Sequence, residues 1–230
     1  MSVIICESSM HFGEFNNNDV YHIETSDVYR KKLETNGIST VEFILYRGNN
    51  KIAFVEAKHS FPNLESVEKT NDELIKICNK FAHAIEIHFS TVLNRLSDDN
   101  NDMPDFFKTA DYGNLQLQCF HVINGSHDNR TLSCISEKLR KMLNVKLKIW
   151  GIKPLDVIAI NHNQAKKWGL IYTVPCGGCI GKSDNIPSRC IYLDKKHEDS
   201  NDLLECNLCD RQVFRGCKKQ APRQQQLISN

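Results

Sequence analysis

Residues Thr40–Ser60 read TVEFILYRGNNKIAFVEAKHS. Two runs of strand-forming residues flank Gly48-Asn49-Asn50, the pattern of a β-hairpin. Three charges, Glu42, Glu56 and Lys58, stand near the ends of strands that are otherwise largely apolar. With a three-residue loop, Arg47 faces Lys51, and counting outward sets Glu42 directly across from Glu56. Side chains alternate along a strand, so Glu56 and Lys58 share one face and Ala57 takes the other. Like charges directly opposite each other destabilise a strand pair, so the spacing asks for a compensating cation. The bland alternative is an edge hairpin with a solvated polar face, on which Lys58 neutralises the pair. Against it, IAFVEAK is apolar on both faces up to Glu56, as in a central strand.

A divalent ion suits such a pair chemically. Mg²⁺ is hard, prefers carboxylate oxygens and keeps several waters. An ion of this kind activates water and stabilises the charge that develops on a phosphodiester. A neighbouring lysine orients or deprotonates that water, or neutralises the phosphorane.

At 230 residues the chain is long enough for one domain with a small appendage. A formal net charge of +1 gives no global pull toward nucleic acid or membrane, so any electrostatic footprint is local. The start, MSVIICESSM, lacks the basic and long apolar regions of a signal peptide, and no run approaches a membrane span of about 18 residues. The expected compartment is the cytoplasm, where the 10 cysteines are thiols or metal ligands before they are disulfides. Cys6, Cys78, Cys119 and Cys134 stand among apolar neighbours and read as small core residues.

Around the hairpin, VIIC reads as a strand and GEFNNNDV as a polar loop. SDVYRKKLE is a helix capped by Ser26 or Thr25 and stopped at Asn36-Gly37. Leu74, Cys78, Phe81, Ile85, Phe89, Val92 and Leu96 make one stripe of a long helix after Pro62-Asn63. SDDNNDMPD is a loop, LQLQCFHVI a strand, TLSCISEKLRKML a helix, LKIW and DVIAI strands, and NQAKKWG a short helix ending at Gly169. The class is α/β, a mixed central β-sheet flanked by helices. Residues 1–172 form this domain; in 173–230 cysteines pair up and the apolar periodicity fades.

The hairpin constellation resembles the PD-(D/E)XK nuclease superfamily, in which an acid on one strand and a (D/E)-x-K at the end of the next bind Mg²⁺. Glu42 matches the first acid, and Glu56-Ala57-Lys58 the E-x-K; Glu24, in YHIETSDVY, matches a further acid often supplied by an upstream helix. The order helix, hairpin, long helix, strand, helix is similar to that superfamily's restriction-endonuclease-like core. Glu42 replaces the commoner Asp, and Glu24 falls just before the expected helix. The resemblance implies a nuclease using Mg²⁺ or Mn²⁺ without a covalent enzyme intermediate, DNA favoured over RNA as substrate, with a role in defence or DNA processing. Many members act as homodimers, but no apolar interface is legible here. His59, Ser60, Arg47 and Tyr29 are secondary candidates for phosphate contact, each more often a plain surface residue. Lys166 and Lys167 could line a backbone groove, and His83 and His88 read as satisfied or solvent-facing. No G-x-S-x-G, P-loop or G-x-G-x-x-G points to another chemistry.

Cys176-x₂-Cys179 and Cys206-x₂-Cys209 form two knuckles suited to tetrahedral Zn²⁺. The interval between them is long, so Cys190, His197 or Cys217 could replace one ligand. A redox dithiol needs a following helix, and IGKSDN after CGGC gives no obvious helix signal. Zinc here would be structural, standing in for a core. Beyond Asp210 the tail carries Arg211, Arg215, Lys218, Lys219 and Arg223 and no acid. It is either a salt-sensitive nucleic-acid contact or an unstructured terminus. The alternative function is a catalytically inactive nuclease-like module that binds nucleic acid or protein through its zinc segment.

Overall fold

The computed structural model describes residues 2–96 and 102–172 and, beyond these, the backbone of four short strands. The chain divides into two compact units, Met1–Tyr172 and Thr173–Asn230.

In the first unit an antiparallel hairpin, β1 (Ser2–Glu7) and β2 (Met10–Asn16), precedes strand β3 (Val20–Tyr21). Gly13 to Asn16 therefore belong to a strand, and the expected polar loop shrinks to Asn17–Asp19. Phe12 and Phe15 explain the change, because they bury against Phe43 and need a fixed register to do so. A 3-10 turn (Ile23–Thr25) leads into helix α1 (Asp27–Lys32), whose cap is Ser26, accepting from Tyr29 N–H at 3.2 Å. Strands β4 (Phe43–Tyr46) and β5 (Lys51–Lys58) follow, then the long helix α2 (Val67–Val92) and the short helix α3 (Asp105–Thr109). Strand β6 (Gln116–Ile123), helix α4 (Asn129–Ile149), strand β7 (Val157–Asn161) and helix α5 (His162–Lys167) complete the unit.

The sheet has five strands in the order β3-β4-β5-β6-β7. The first two pairings are antiparallel; β5 with β6 and β6 with β7 are parallel, the crossovers running through α2 and α4. Period-2 alternation splits the strands between two cores. Ile44, Ile52, Phe54, Cys119 and Ala159 face α2 and α4, whereas Phe43, Val55, Ala57, Phe120 and Ile160 face the N-terminal hairpin and α5. Cys78 and Cys119 are buried as expected, but Cys6 is exposed.

The strand expected at LKIW is instead the last turn of α4. Leu132, Ile135, Leu139, Leu143 and Leu147 are one buried stripe, and its period of three to four outweighs the local β-propensity of Ile149 and Trp150. The helix ends before Gly151, at φ 64°. The open edge of β7 is sealed by the same helix: Ala159 N–H donates to Ser136 Oγ (2.8 Å) and Arg140 Nε to Val157 O (3.0 Å).

In the second unit, Cys179–Ile180 pairs antiparallel with Arg189–Cys190, and Leu203–Glu205 with Gln212–Phe214. The expected zinc ligands Cys176, Cys206 and Cys209, the side chain of Cys179, and the basic residues Arg211, Arg215, Lys218 and Lys219 lie outside the described residues. Among the described residues, no helix is long and apolar enough to cross a membrane.

Candidate functional site: a carboxylate cluster at the end of the hairpin

The β4–β5 loop has the three residues read from the sequence. Arg47 N–H donates to Lys51 O (2.8 Å), and Gly48, Asn49 and Asn50 all have left-handed φ, at 74°, 49° and 55°. Asn tolerates that region better than other side chains, so GNN closes the turn at little cost. Phe43 then opposes Val55. Glu42, one residue outside the ladder, sends its N–H to Val55 O at 3.1 Å.

Glu56 is fully buried and Glu42 nearly so, at 0% and 6% exposed. Both carboxylates meet the ammonium of Lys80, carried in by α2: Nζ lies 3.0 Å from Glu56 Oε2 and 3.5 Å from Glu42 Oε1. Lys58 stands on the other side, its Nζ 3.7 Å from Glu56 Oε1 and 3.4 Å from Glu73 Oε1, with its side chain 31% exposed. That Glu56 oxygen is enclosed and has no hydrogen-bond partner. Glu24 sits on the 3-10 turn before α1, its backbone N–H directed at Glu42 O (3.5 Å). Glu42, Glu56, Lys58 and Glu24 are thus brought together. Arg47 is elsewhere, between the rings of Phe120 and Trp168. Tyr29 donates its hydroxyl to Ile38 O, and His83 Nδ1 meets Ser39 O; both are structural contacts.

Burial dominates the electrostatics of both acids. Burial, then a hydrogen bond with Glu24 and the charge of Glu56, push the Glu42 carboxyl up to about 9, although Lys80 opposes them. Burial raises Glu56 to about 7, against the pull of Lys80 and Lys58. Burial alone would lower Lys80, but Glu56 and Glu42 more than offset it and hold the ammonium charged. Taken with Glu7 and Glu73, five carboxylates surround three lysines, Lys58, Lys80 and the more exposed Lys76, which pairs with Glu73 at 3.8 Å. Such a pocket repels a polyanion unless further cations enter it.

Sequence reading missed Lys80, Glu73, Glu7, His22 and His121. Lys80 carried a signal: it lies three residues after Ile77 and four before Ala84, on the core-facing side of α2, where a lysine is costly unless paired. Glu73 lies one heptad before it on the same face. His121 gave none; it adjoins Glu56 only through the parallel β5–β6 register. It is fully buried, and burial, Lys58 and Lys80 depress its pKa to about 3 against a hydrogen bond with the Glu56 backbone.

Comparison of the chain with protein-family models, with curated proteins and with solved structures returned no match.

Proposed function

We propose that the chain is a metal-dependent nuclease of the PD-(D/E)XK kind, hydrolysing phosphodiester bonds with DNA the favoured substrate. The observation that carries this reading is the pair Glu42 and Glu56, packed together at the end of the hairpin with Lys58 beside them. The element order supports it too: an upstream acid at Glu24, the hairpin, a long helix, then a strand parallel to β5.

The donor set fits a hard dication. It offers carboxylate oxygens, one of them enclosed without a hydrogen bond. Glu42 and Glu56 would hold Mg²⁺ or Mn²⁺, with Glu24 joining. When bound, the ion acidifies water and neutralises charge on the phosphoryl group. Lys58, partly exposed and steered by Glu56 and Glu73, hydrogen-bonds the attacking water or a phosphoryl oxygen. Lys80 lies deeper and keeps the two acids from forcing each other apart. Zn²⁺ on Cys176, Cys179, Cys206 and Cys209 and the basic residues Arg211, Arg215, Lys218 and Lys219 belong to this proposal as a substrate-holding module.

One observation favours a second reading. Lys80 already pairs with both acids, as in a purely structural ion-pair network, and the protein would then bind nucleic acid or a protein partner without cleaving it. Titrating Mn²⁺ into the wild type and a Glu42→Gln/Glu56→Gln variant separates the two. The nuclease reading expects the variant to lose one Mn²⁺ ion that the wild type binds; identical Mn²⁺ binding in both proteins favours the structural network.

A further inference from the structure

The N-terminal hairpin brings a second set of donors to the same end of the sheet. Glu7 is the last residue of β1, His22 follows β3, and Glu24 lies on the next 3-10 turn. One donor atom from each lies within 4.8 Å of the other two. His22 Nε2 is 3.9 Å from Glu7 Oε1, too far for a hydrogen bond, and that nitrogen is enclosed with no hydrogen-bond partner. Metal–ligand bonds of about 2.1 Å put donor pairs roughly 3–4 Å apart, so small rotations of the two carboxylates close the set on an ion.

The placement of Glu7 is held by specific contacts. The β1–β2 turn is Ser8-Ser9, with φ 50° and 62°, a left-handed region that non-glycine residues enter at a cost. Ser8 Oγ donates to Ala57 O (3.0 Å), and Asn124 Nδ2 donates to Ser8 O (3.2 Å). Those bonds fasten the hairpin tip to the ends of β5 and β6 and hold Glu7 against Glu24. The two acids converge there with His22, one donor atom of each within 4.8 Å of the others.

We infer that Glu7, His22 and Glu24 form a second cation site beside the Glu42–Glu56 pair, one that takes Mn²⁺ in preference to Mg²⁺. Imidazole nitrogen is a borderline donor, and a set of one imidazole and two carboxylates discriminates against Mg²⁺, which a carboxylate pair alone does not. Glu24, hydrogen-bonded to Glu42, is the wall between the two sites. The inference goes beyond the nuclease reading and holds whether or not the protein cleaves a phosphodiester.

Pulsed electron paramagnetic resonance of Mn²⁺ added to the full chain, any zinc retained, tests it. Mn²⁺ avoids thiolates, so the cysteines do not compete. The wild type should show a ¹⁴N coupling from a directly bound imidazole. His22→Gln should abolish it, Glu56→Gln should keep it, and about a 100-fold excess of Mg²⁺ should leave it in place. Should His22→Gln fail to fold, Glu7→Gln carries the test: about a ten-fold or larger loss of affinity for the nitrogen-coupled ion is expected, and unchanged affinity overturns the site. Mn²⁺ bound without ¹⁴N coupling, or a coupling that survives His22→Gln, overturns this inference and leaves the Glu42–Glu56 reading standing. Loss of the coupling in Glu56→Gln means that His22 serves the same ion as Glu56, and it overturns the separate site. Displacement of the nitrogen-coupled ion by Mg²⁺ overturns its selectivity. A protein that binds no Mn²⁺ at all overturns both readings together.

Discussion

Lys80 Nζ lies 3.0 Å from Oε2 of Glu56, an ammonium from the long helix set against a fully buried carboxylate of the central strand. Removing one member of a buried pair leaves the other uncompensated. Lys80→Met should therefore cost about 3 kcal/mol, or roughly 6–12 °C in Tm for a unit of this size, in the presence of EDTA. Saturating Mn²⁺ should narrow that gap, because a dication supplies the charge the ammonium gave. Equal Tm values for Lys80→Met and wild type in EDTA would show that the pair carries no stability.

Arg47 is half-buried and stacked, its guanidinium 4.9 Å from the centre of Phe120 and 5.7 Å from that of Trp168, with a hydrogen bond to Gln118 Oε1. Its role is packing, so Arg47→Ala should lose about 1–2 kcal/mol of stability. Metal affinity should be unchanged. A variant with wild-type Tm but weakened nucleic-acid binding would return Arg47 to the phosphate contacts.

His88 is fully buried among Phe54, Phe89, Phe107 and Tyr112. The Tyr112 hydroxyl donates to Phe107 O (2.7 Å), so His88 Nε2–H donates to that hydroxyl (2.8 Å) and the ring is neutral. Burial depresses its pKa to about 3. An unfolded histidine titrates near 6.5, so between these values the unfolded chain binds the extra proton. The contribution of His88 to stability is thus complete above about pH 6.5 and lost as the pH falls toward 3, by up to about 1.4 kcal/mol per pH unit. His88→Phe, which the aromatic cage accepts, should gain stability relative to wild type as the pH drops from 7 to 4 in thermal melts. A difference in Tm that does not change with pH would contradict this.

Much of the fold was legible because local signals agreed with the tertiary ones. Gly48-Asn49-Asn50 set the hairpin register, and the stripe from Leu74 to Ile85 set the long helix. LKIW misled because a four-residue β-prone run cannot report that Leu147 continues a helical stripe begun fifteen residues earlier. The site was half legible for a related reason. Glu42, Glu56 and Lys58 sit within one hairpin, where periodicity fixes who faces whom. Lys80, Glu73, Glu7, His22 and His121 arrive from a helix face, a distant hairpin and a parallel neighbour, and only sheet order brings those together. Glu24 was legible only through the resemblance, which set it beside Glu42 and Glu56; its place before the helix and its contact with Glu42 agree with that expectation.

On the proposed reading, Glu42 and Glu56 hold the ion needed to hydrolyse a phosphodiester. The most direct measurement is cleavage of single- and double-stranded DNA and RNA by wild type, Glu56→Gln and Lys58→Ala, in Mg²⁺, in Mn²⁺ and in EDTA, with folding checked by circular dichroism. The account predicts cleavage by the wild type in either metal and none in EDTA, with a loss of about 100-fold or more in each folded variant. A wild type inert toward every substrate, or a folded Glu56→Gln that cleaves at the wild-type rate, would contradict it.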